Sequence, residues 1–393
     1  MKMAIFLSES KLFRRSFPKG KVQCSTTISE AAPCSGASSR PKSTQARDSE
    51  EKTAVGDSSS SDLLQNSSSP SSELGEARLD DSAVIAPCDY IRMLPSKNVR
   101  SKVIQACNLW FKLPEHLTTV IDDIISDLHN ASLILDDIQD DSLLRRGSPA
   151  THCVFGNAQA INSATFMIMN TCWKLQRLQH SDTLAMDALL KGTIDLFVGQ
   201  SWDLKWKFHL RCPSAEEYMA MVDGKTGAML KMLVHLMHGM SDQRQDDSII
   251  ALFDRFVVLL GRFYQLRDDY QNLQDDTYSE KKGFCEDLDE GKFSYPIIAC
   301  CDSDPTARDI ILGIFREKRN PAVGALSRNT KIYMLSLIER SGAFEASWDL
   351  LQSLSKDTSE ALSALEEATG QSNPALRAMI KMLIDTVQQP KRR

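Results

Sequence analysis

The stretch that decides the fold is LILDDIQDDSLLRRG at residues 133–147. An apolar helical run ends there in a group of carboxylates, which two adjacent arginines follow. Asp136 and Asp140 are four residues apart, so they share one face of a helix, where like charges repel unless a cation lies between them. Carboxylate oxygens favour Mg²⁺, which keeps several waters and is usually shared with substrate phosphates. The pattern therefore predicts a metal-bridged diphosphate site.

A second cluster, QLRDDYQN at residues 265–272, strengthens this interpretation. One such cluster alone is as often the solvated end of a helix. The second cluster also follows an apolar helical run, and Asp268 and Asn272 are again four residues apart. The two clusters predict two helices that face each other across a cavity, with metal ions and phosphates between them. Arg145 and Arg146 are placed to bind a further anion such as a phosphate.

The composition indicates a cytoplasmic enzyme. The chain has 393 residues, of which 42% are hydrophobic, and this is enough for a sizeable core. The net charge of −6 gives no basic surface for nucleic acid. No apolar segment approaches the roughly 20 residues that span a bilayer. The ten cysteines show no zinc-type spacing, and we interpret them as reduced thiols.

The chain divides near residue 82. Residues 1–82 contain serine runs and few large apolar residues, so we predict a disordered arm followed by one folded domain at residues 83–393. The first two dozen residues are basic, with interleaved Leu12, Phe13 and Phe17. That composition resembles an organelle transit peptide, although an ordinary basic tail fits it equally well.

The pattern of the folded part is helical throughout. Apolar residues recur at three- and four-residue spacing, for example from Val120 to Leu128. Ser214 and Glu217, just after Pro213, form a capping box that predicts the start of a helix. Further helices are predicted at residues 161–178, 184–206 and 345–365. We expect an all-α fold, one large helical bundle with its site in the core between helices.

The ordered motifs of the chain resemble those of trans-isoprenyl diphosphate synthases, and within that family the fungal and animal geranylgeranyl diphosphate synthases. The resemblance begins near Asp89 and excludes the arm. It rests on the two aspartate clusters and on five further segments, PSKNVR at 95–100, HNASL at 129–133, GNAQAIN at 156–162, KTG at 225–227 and KGFCEDLDEGKFS at 282–294. It implies the isoprenoid-synthase helical bundle with a central cavity.

The resemblance also implies a role for each matched residue. Asp136, Asp140 and Asp268 would hold Mg²⁺ ions that bridge the allylic diphosphate, and Asp137 and Asp269 would support these ligands or bind through water. The allylic site would be lined by Arg145, Lys225, Thr226, Gln265, Asn272, Lys282 and Lys292. The diphosphate of isopentenyl diphosphate would be bound by Lys97, Arg100, His129 and Arg146. Inorganic diphosphate would be a product, and a homodimer or higher homo-oligomer is expected.

Product length should follow the depth of the apolar pocket above the aspartates. Ala131 and Ser132, one turn before Asp136, are small and would permit growth beyond fifteen carbons. Related synthases often carry aromatics near Ile168 and Met169, so the pocket floor here differs from theirs. Lys207 also departs from the family's usual arginine, as Ser201 and Phe208 depart from its usual residues.

Three other interpretations remain open. A class I terpene cyclase shares the first motif, but its second motif, if begun at Asp275, would need a glutamate where Gly283 stands. A non-catalytic synthase-like subunit typically loses the aspartate ligands, which this chain keeps in both clusters. A scaffold built on the serine-rich arm is the third, and nothing in the arm indicates a particular partner. A synthase with a farnesyl or longer product is a further alternative to the geranylgeranyl product.

Overall fold

The computed structural model describes residues 79–96, 99–178, 183–274, 284–319 and 324–390. The arm lies outside these ranges, apart from its last few residues, and so do Lys97, Lys282, Asp275 and Gly283. The interpretations that rest on them stay predictions.

The described residues are mainly helical, which confirms the predicted all-α class. We number the helices in chain order: α1 (Ser82–Met93), α2 (Val99–Phe111), α3 (Glu115–Gln139), α4 (Thr151–Phe155), α5 (Asn157–Gln176), α6 (Thr183–His209), α7 (Ala215–Val222), α8 (Ala228–Met240), α9 (Asp247–Gln274), α10 (Glu286–Asp289), α11 (Tyr295–Ser303), α12 (Pro305–Lys318), α13 (Arg328–Arg340), α14 (Ala343–Thr369) and α15 (Pro374–Asp385).

The predicted helices are present, with ends that lie a few residues from the predicted ones. The helices predicted at 161–178, 184–206 and 345–365 correspond to α5, α6 and α14. The capping box is confirmed, because the Ser214 side chain accepts from the Glu217 amide and the Glu217 side chain accepts from the Ser214 amide. Helix α1 starts at Ser82, next to the predicted start of the folded domain.

Helix α9 lies at the centre of the main apolar core. It packs against α14 on one side and against α8 and α11 on others. From Phe263 to Gln274 every one of its residues is buried, including the whole second aspartate cluster. Polar side chains on such a helix need partners. Arg267 donates to the Leu383 carbonyl at 3.1 Å, and Gln271 donates to the Thr386 carbonyl at 3.0 Å, so this face of α9 anchors the end of α15.

The sequence did not predict the short antiparallel hairpin that follows α3. Its strands are β1 (Leu144–Arg145) and β2 (Ser148–Pro149). Arg146 and Gly147 form the turn with φ values of 55° and 80°. Positive φ at both central residues matches the twist of a two-residue hairpin. The hairpin places Arg145 and Arg146, which are adjacent in sequence, in different surroundings.

A π-helical segment, Asp223–Gly227, joins α7 to α8. Two glycine contacts hold it. A Cβ on Gly199 of α6 would meet the Gly224 carbonyl carbon at 2.7 Å, and one on Gly261 of α9 would meet the Gly227 Cα at 3.0 Å. The segment is therefore clamped between α6 and α9. Single-turn π segments are frequent at functional sites, and this one carries Lys225 and Thr226.

Within the part of the chain that the structure describes, no helix is long and apolar enough to cross a membrane.

Candidate active site

The first aspartate cluster occupies the last turn of α3. The Asp136 carboxylate accepts a hydrogen bond from Gln200 Nε2 on α6 at 3.1 Å. Asp140 forms an ion pair with Lys207, which lies further along α6 on the same side as Gln200. Burial, together with the charges of Asp136 and Glu290, raises the pKa of Asp140 well above its usual range, although Lys207 opposes this. Ionised Asp140 is therefore costly at this buried position, even with Lys207 beside it.

Asp137 has a different environment from its two neighbours. Its carboxylate is fully buried, and Arg145 Nε donates to its two oxygens at 2.9 and 3.0 Å. The sequence argument directed both arginines toward a second anion. Arg145 is instead bonded to a carboxylate of the motif itself, because β1 turns the chain back onto the end of α3. Its contribution to the allylic site stays a prediction.

The second aspartate cluster lies on the buried face of α9. Asp269 is fully buried and is bonded to Lys292 Nζ at 2.6 Å and to the Tyr218 hydroxyl at 2.6 Å. Burial raises the pKa of Asp269, and Lys292 opposes the shift. Lys292 also bonds Asp287 at 3.1 Å. Asn272, one turn after Asp268, accepts from the Asp287 amide at 3.2 Å and so anchors the segment that carries Lys292.

Lys225 joins the surroundings of the two clusters. Its Nζ lies 2.7 Å from Asp203 of α6, and both side chains are buried. Although burial alone would raise it, Lys225, Lys207 and Lys292 hold the pKa of Asp203 well below its usual range. The charge of Asp136 also acts on Lys225. Cations that serve the first and second clusters therefore surround one carboxylate.

A separate cationic cluster consists of Arg100 on α2, His129 on α3 and Arg146 in the hairpin turn. Burial, then the charge of Arg146, lowers the pKa of Arg100 to about 10. Burial and both arginines hold the pKa of His129 well below its usual value. Arg100 Nε, His129 Nε2 and two Arg146 nitrogens are buried with no partner among the described residues. Buried arginine donors that lack partners, next to a neutral imidazole, form a site suited to an anion.

The donor set of the aspartate clusters fits Mg²⁺. Asp136, Asp140 and Asp268 supply hard carboxylate oxygens, and burial makes the charge of Asp140 costly, a cost that a bound divalent cation would reduce. Among the described residues no three His, Cys, Asp or Glu side chains converge closely enough to hold a metal by themselves.

A small pocket of about 50 Å³ begins at these polar groups and ends among apolar ones. Asp136, Gln200 and Lys225 line the polar end. The other walls include Ser132 and the apolar side chains of Ile168, Leu196 and Phe197. Ala131 does not border it, because its fully buried side chain packs with residues of α1 and α5 in a second apolar cluster. Of the two residues expected to face the tail pocket, Ser132 borders this pocket and Ala131 does not. Met169 is 63% exposed, so the proposed floor falls to Ile168.

Most of the predicted site residues converge around these groups. The described structure brings together Asp136, Asp137, Asp140, Lys225, Thr226, Gln265, Asp268, Asp269, Asn272 and Lys292, and it separates Arg100, His129 and Arg146 into the cationic cluster. Sequence reasoning missed Asp203, Lys207 and Tyr218. The first two could have been found from their spacing, because Gln200, Asp203 and Lys207 recur at three and four residues on one face of α6. Tyr218 had no such signal.

These features describe a helical protein with buried clusters of carboxylates and cations. A family model described as polyprenyl synthetase matches residues 81–332, more than half of the chain. The chain belongs to this family of trans-isoprenyl diphosphate synthases.

Three similar proteins illustrate the range of relatives. Fusoxypene synthase of Fusarium oxysporum is 46% identical over 321 residues, which cover 81% of this chain and 44% of that protein. Sesterterpene synthase btcA of Colletotrichum orbiculare is 45% identical over 78% of this chain and 44% of its own length. Geranylgeranyl pyrophosphate synthase 3 of Zymoseptoria tritici is 44% identical over 77% of this chain and 82% of its own length. The chain spans less than half of the first two relatives.

Proposed function

We propose that this prenyltransferase condenses isopentenyl diphosphate with allylic diphosphates (dimethylallyl, geranyl and farnesyl) in a Mg²⁺-dependent reaction that yields geranylgeranyl diphosphate. The observation that carries the proposal is the arrangement of three features. Asp136 and Lys225 line the polar end of a pocket, cations of both carboxylate clusters act together on Asp203, and buried arginine donors without partners lie in a separate cluster. The allylic diphosphate would bind at the carboxylate clusters through Mg²⁺, and the diphosphate of isopentenyl diphosphate would bind at the cationic cluster.

In the proposed reaction the C–O bond of the allylic diphosphate breaks and the diphosphate leaves with the electron pair. Bound Mg²⁺ would neutralise the negative charge that develops on the leaving oxygens, and Asp136, Asp140 and Asp268 would hold it there. Lys225 supplies a fixed positive charge from the clamped π-helical segment. Because the groups are oriented before the charge appears, they stabilise the transition state more than the ground state.

The second substrate would be bound by its own diphosphate. Isopentenyl diphosphate would be bound by Arg100, His129 and Arg146. Its double bond then attacks the allylic cation, and the departing diphosphate accepts the proton that is lost. The cation survives only where water is excluded. The apolar walls of the pocket, from Ser132 to Phe197, supply that dry surface, and inorganic diphosphate is released.

The test is incubation of purified protein with isopentenyl diphosphate, each allylic starter and Mg²⁺, followed by sizing of the products. We expect linear prenyl diphosphates, with twenty carbons as the main product. Asp136→Ala protein is the matched control for background activity. A cyclic hydrocarbon as the only product would favour the terpene cyclase alternative. No product above the control from any starter would favour the non-catalytic subunit.

A longer product is the second candidate. Ile168 is aliphatic where related geranylgeranyl synthases often carry an aromatic ring, so this position lacks a ring that would stop a chain at twenty carbons. Relatives named sesterterpene synthases concern twenty-five-carbon skeletons. The same assay separates the candidates, because addition of isopentenyl diphosphate to geranylgeranyl diphosphate would extend it by five carbons.

We also propose that the protein acts in the cytoplasm as a homodimer that pairs through α6. Ile194, Phe197, Val198 and Trp202 are each 41–61% exposed and form one stripe along that helix. Large contiguous apolar patches mark interfaces. Phe197 also lines the tail pocket, so pairing would cover its outer wall. Light scattering should show a dimer for the wild type and a monomer for Ile194→Asp, whereas a monomeric wild type would contradict the proposal.

A further inference from the structure

Asp269 is the point at which four elements of the site meet. Its Oδ1 accepts from Gln265 Nε2 at 2.9 Å and from Lys292 Nζ at 2.6 Å. Its Oδ2 accepts from the Tyr218 hydroxyl at 2.6 Å and from the Tyr295 amide at 3.2 Å. A carboxylate offers about four acceptor directions. These four donors therefore use its capacity, and the protein itself binds Asp269 on every side.

Tyr218 is the side-chain donor in this set that lies outside every matched sequence motif. It lies on α7, is 1% exposed, and its ring centroid is 5.7 Å from that of Tyr295. Burial, followed by the charge of Asp269, raises the pKa of Tyr218 well above its usual value, so the hydroxyl stays protonated and donates at neutral pH. The capping box at Ser214 fixes where α7 begins and hence where this hydroxyl is presented.

The orientation of Asp269 determines that of two site groups. Because Gln265 donates its Nε2 to Asp269, its Oε1 is turned toward the Thr226 hydroxyl, from which it accepts at 3.1 Å. Thr226 follows Lys225 directly on the π-helical segment. Lys292, the other partner of Oδ1, is fixed by the same carboxylate. A rotation of Asp269 would therefore displace groups on α9, on the π-helical segment and in the segment before α11.

We propose that Tyr218 is a positioning residue of the condensation reaction. By holding Asp269 it fixes Gln265, Thr226 and Lys292, and it leaves the neighbouring Asp268 to carry the metal. This inference rests on the proposed prenyltransferase function. It assigns a role to a side chain that touches neither substrate, and it makes Asp269 an orienting group and not a metal ligand.

The experiment compares Tyr218→Phe with Tyr270→Phe. Both changes remove one buried hydroxyl that donates a hydrogen bond. Tyr270 follows Asp269 in the second cluster, but its hydroxyl bonds the Gln388 carbonyl at 3.1 Å and no site residue. We expect similar small losses of Tm in both. Only Tyr218→Phe should lower kcat, by about 10–100-fold, the effect of losing a hydrogen bond to a charged group. Its KM for isopentenyl diphosphate should stay within about twofold, because Tyr218 has no bond to the cationic cluster.

Calorimetry of Mg²⁺-dependent binding of inorganic diphosphate gives a readout that needs no turnover. We expect several-fold weaker binding by Tyr218→Phe and wild-type binding by Tyr270→Phe. Equal kcat losses in the two variants, or unchanged kcat and diphosphate binding in Tyr218→Phe, would overturn the positioning role. An inactive wild type would instead remove the proposed function, so the two failures are distinguishable.

A double-mutant cycle with Asp269→Asn tests whether Tyr218 acts through Asp269. If it does, adding Tyr218→Phe to Asp269→Asn should lower kcat by no more than about twofold further. Losses that multiply would show that Tyr218 acts by another route. If Asp269→Asn does not fold, the comparison of Tyr218→Phe with Tyr270→Phe decides the question alone.

Discussion

The two aspartate clusters have the same sequence pattern, yet the protein surrounds them differently. In each adjacent pair the second carboxylate is fully buried and ion-paired, Asp137 to Arg145 and Asp269 to Lys292. The first carboxylate of each pair is 5% exposed. Adjacent aspartates on a helix point about 100° apart, so one can face the cavity while the other faces the protein. The comparison teaches that one residue of each pair fits metal binding and the other holds the site together.

The clusters differ in charge balance. At the end of α3 the carboxylates of Asp136, Asp140 and Glu290 act on one another, and burial adds to the cost of their charge. On α9, Asp269 shares Lys292 with Asp287 and also receives a tyrosine hydroxyl. Several donors of the protein therefore hold Asp269 in the second cluster, whereas Asp140 in the first has Lys207 on one side and carboxylates nearby.

The largest expected effect comes from removing the carboxylates assigned to the metal. Asp136→Ala or Asp268→Ala should raise the activation barrier by roughly 3–5 kcal/mol, about 10²–10⁴ in rate. Chelation should abolish turnover in the wild type and added Mg²⁺ should restore it, as measured by release of inorganic diphosphate.

Asp254→Asn is the control for that experiment, because Asp254 pairs with Lys231 and His235 on α8 and lies outside both clusters. It should keep wild-type activity. Full turnover in excess chelator would rule out the metal mechanism, and an unaffected Asp268→Ala would show that the first cluster suffices.

The buried ion pair of the first cluster should matter for stability. Arg145→Met would leave the Asp137 carboxylate buried without its partner, and such a loss costs about 3–5 kcal/mol of unfolding free energy. Arg211→Met is the matched control, because its pair with Glu217 is about half exposed and should contribute only ~0–1 kcal/mol. Urea unfolding measures both.

Combining Arg145→Met with Asp137→Leu sharpens the result. Replacing both members of a buried pair by apolar side chains is often close to neutral. Recovery of most of the lost stability would confirm that the single change acts through an uncompensated charge. Equal stability losses in Arg145→Met and Arg211→Met would show that Asp137 is not held as the comparison implies.

The sequence predicted the all-α class, the long helices and the two clusters, because each rests on local periodicity or on charges within one helix. It did not predict the partners that reach a cluster from elsewhere in the chain. Arg145 meets Asp137 only because an unpredicted hairpin reverses the chain, and Tyr218 meets Asp269 across 51 positions of sequence. Side-chain direction was equally inaccessible, since Ala131 and Ser132 are neighbours that face different packing surfaces.

That divergence gives a prediction on product length. Ser132→Phe should place a ring in the tail pocket and cost at least ~1–3 kcal/mol for any longer chain. The product should shift toward fifteen carbons while the first condensation continues. Ala131→Phe should instead overpack the second apolar cluster and lower Tm by a comparable free energy. Product sizing and thermal unfolding distinguish them, and an unchanged profile in folded Ser132→Phe would show that this face of α3 does not limit the tail.

The smallest expected effect concerns the cationic cluster, which contrasts with both aspartate clusters in the sign of its charge. Burial and the neighbouring arginines hold the pKa of His129 well below its value of about 6.5 in an unfolded chain. Above pH 6.5 the imidazole is neutral in both states, so it adds no pH dependence. As the pH falls through 6.5 the unfolded chain binds a proton that the folded protein does not, and stability therefore decreases.

Between pH 7.5 and 5.5 this linkage should remove about 1 kcal/mol of unfolding free energy. His129→Gln should lack that part of the pH dependence, whereas His116→Gln, at an exposed position near the start of α3, should keep it. Urea unfolding at the two pH values measures the difference. Inorganic diphosphate should reduce the acid-side loss in the wild type, because an anion among Arg100, His129 and Arg146 favours the protonated imidazole in the folded state. If the wild type and His129→Gln lose equal stability on acidification, the histidine is not held neutral by its cationic neighbours. The opposite charge signs of this cluster and the aspartate clusters would then have no effect on how stability depends on pH.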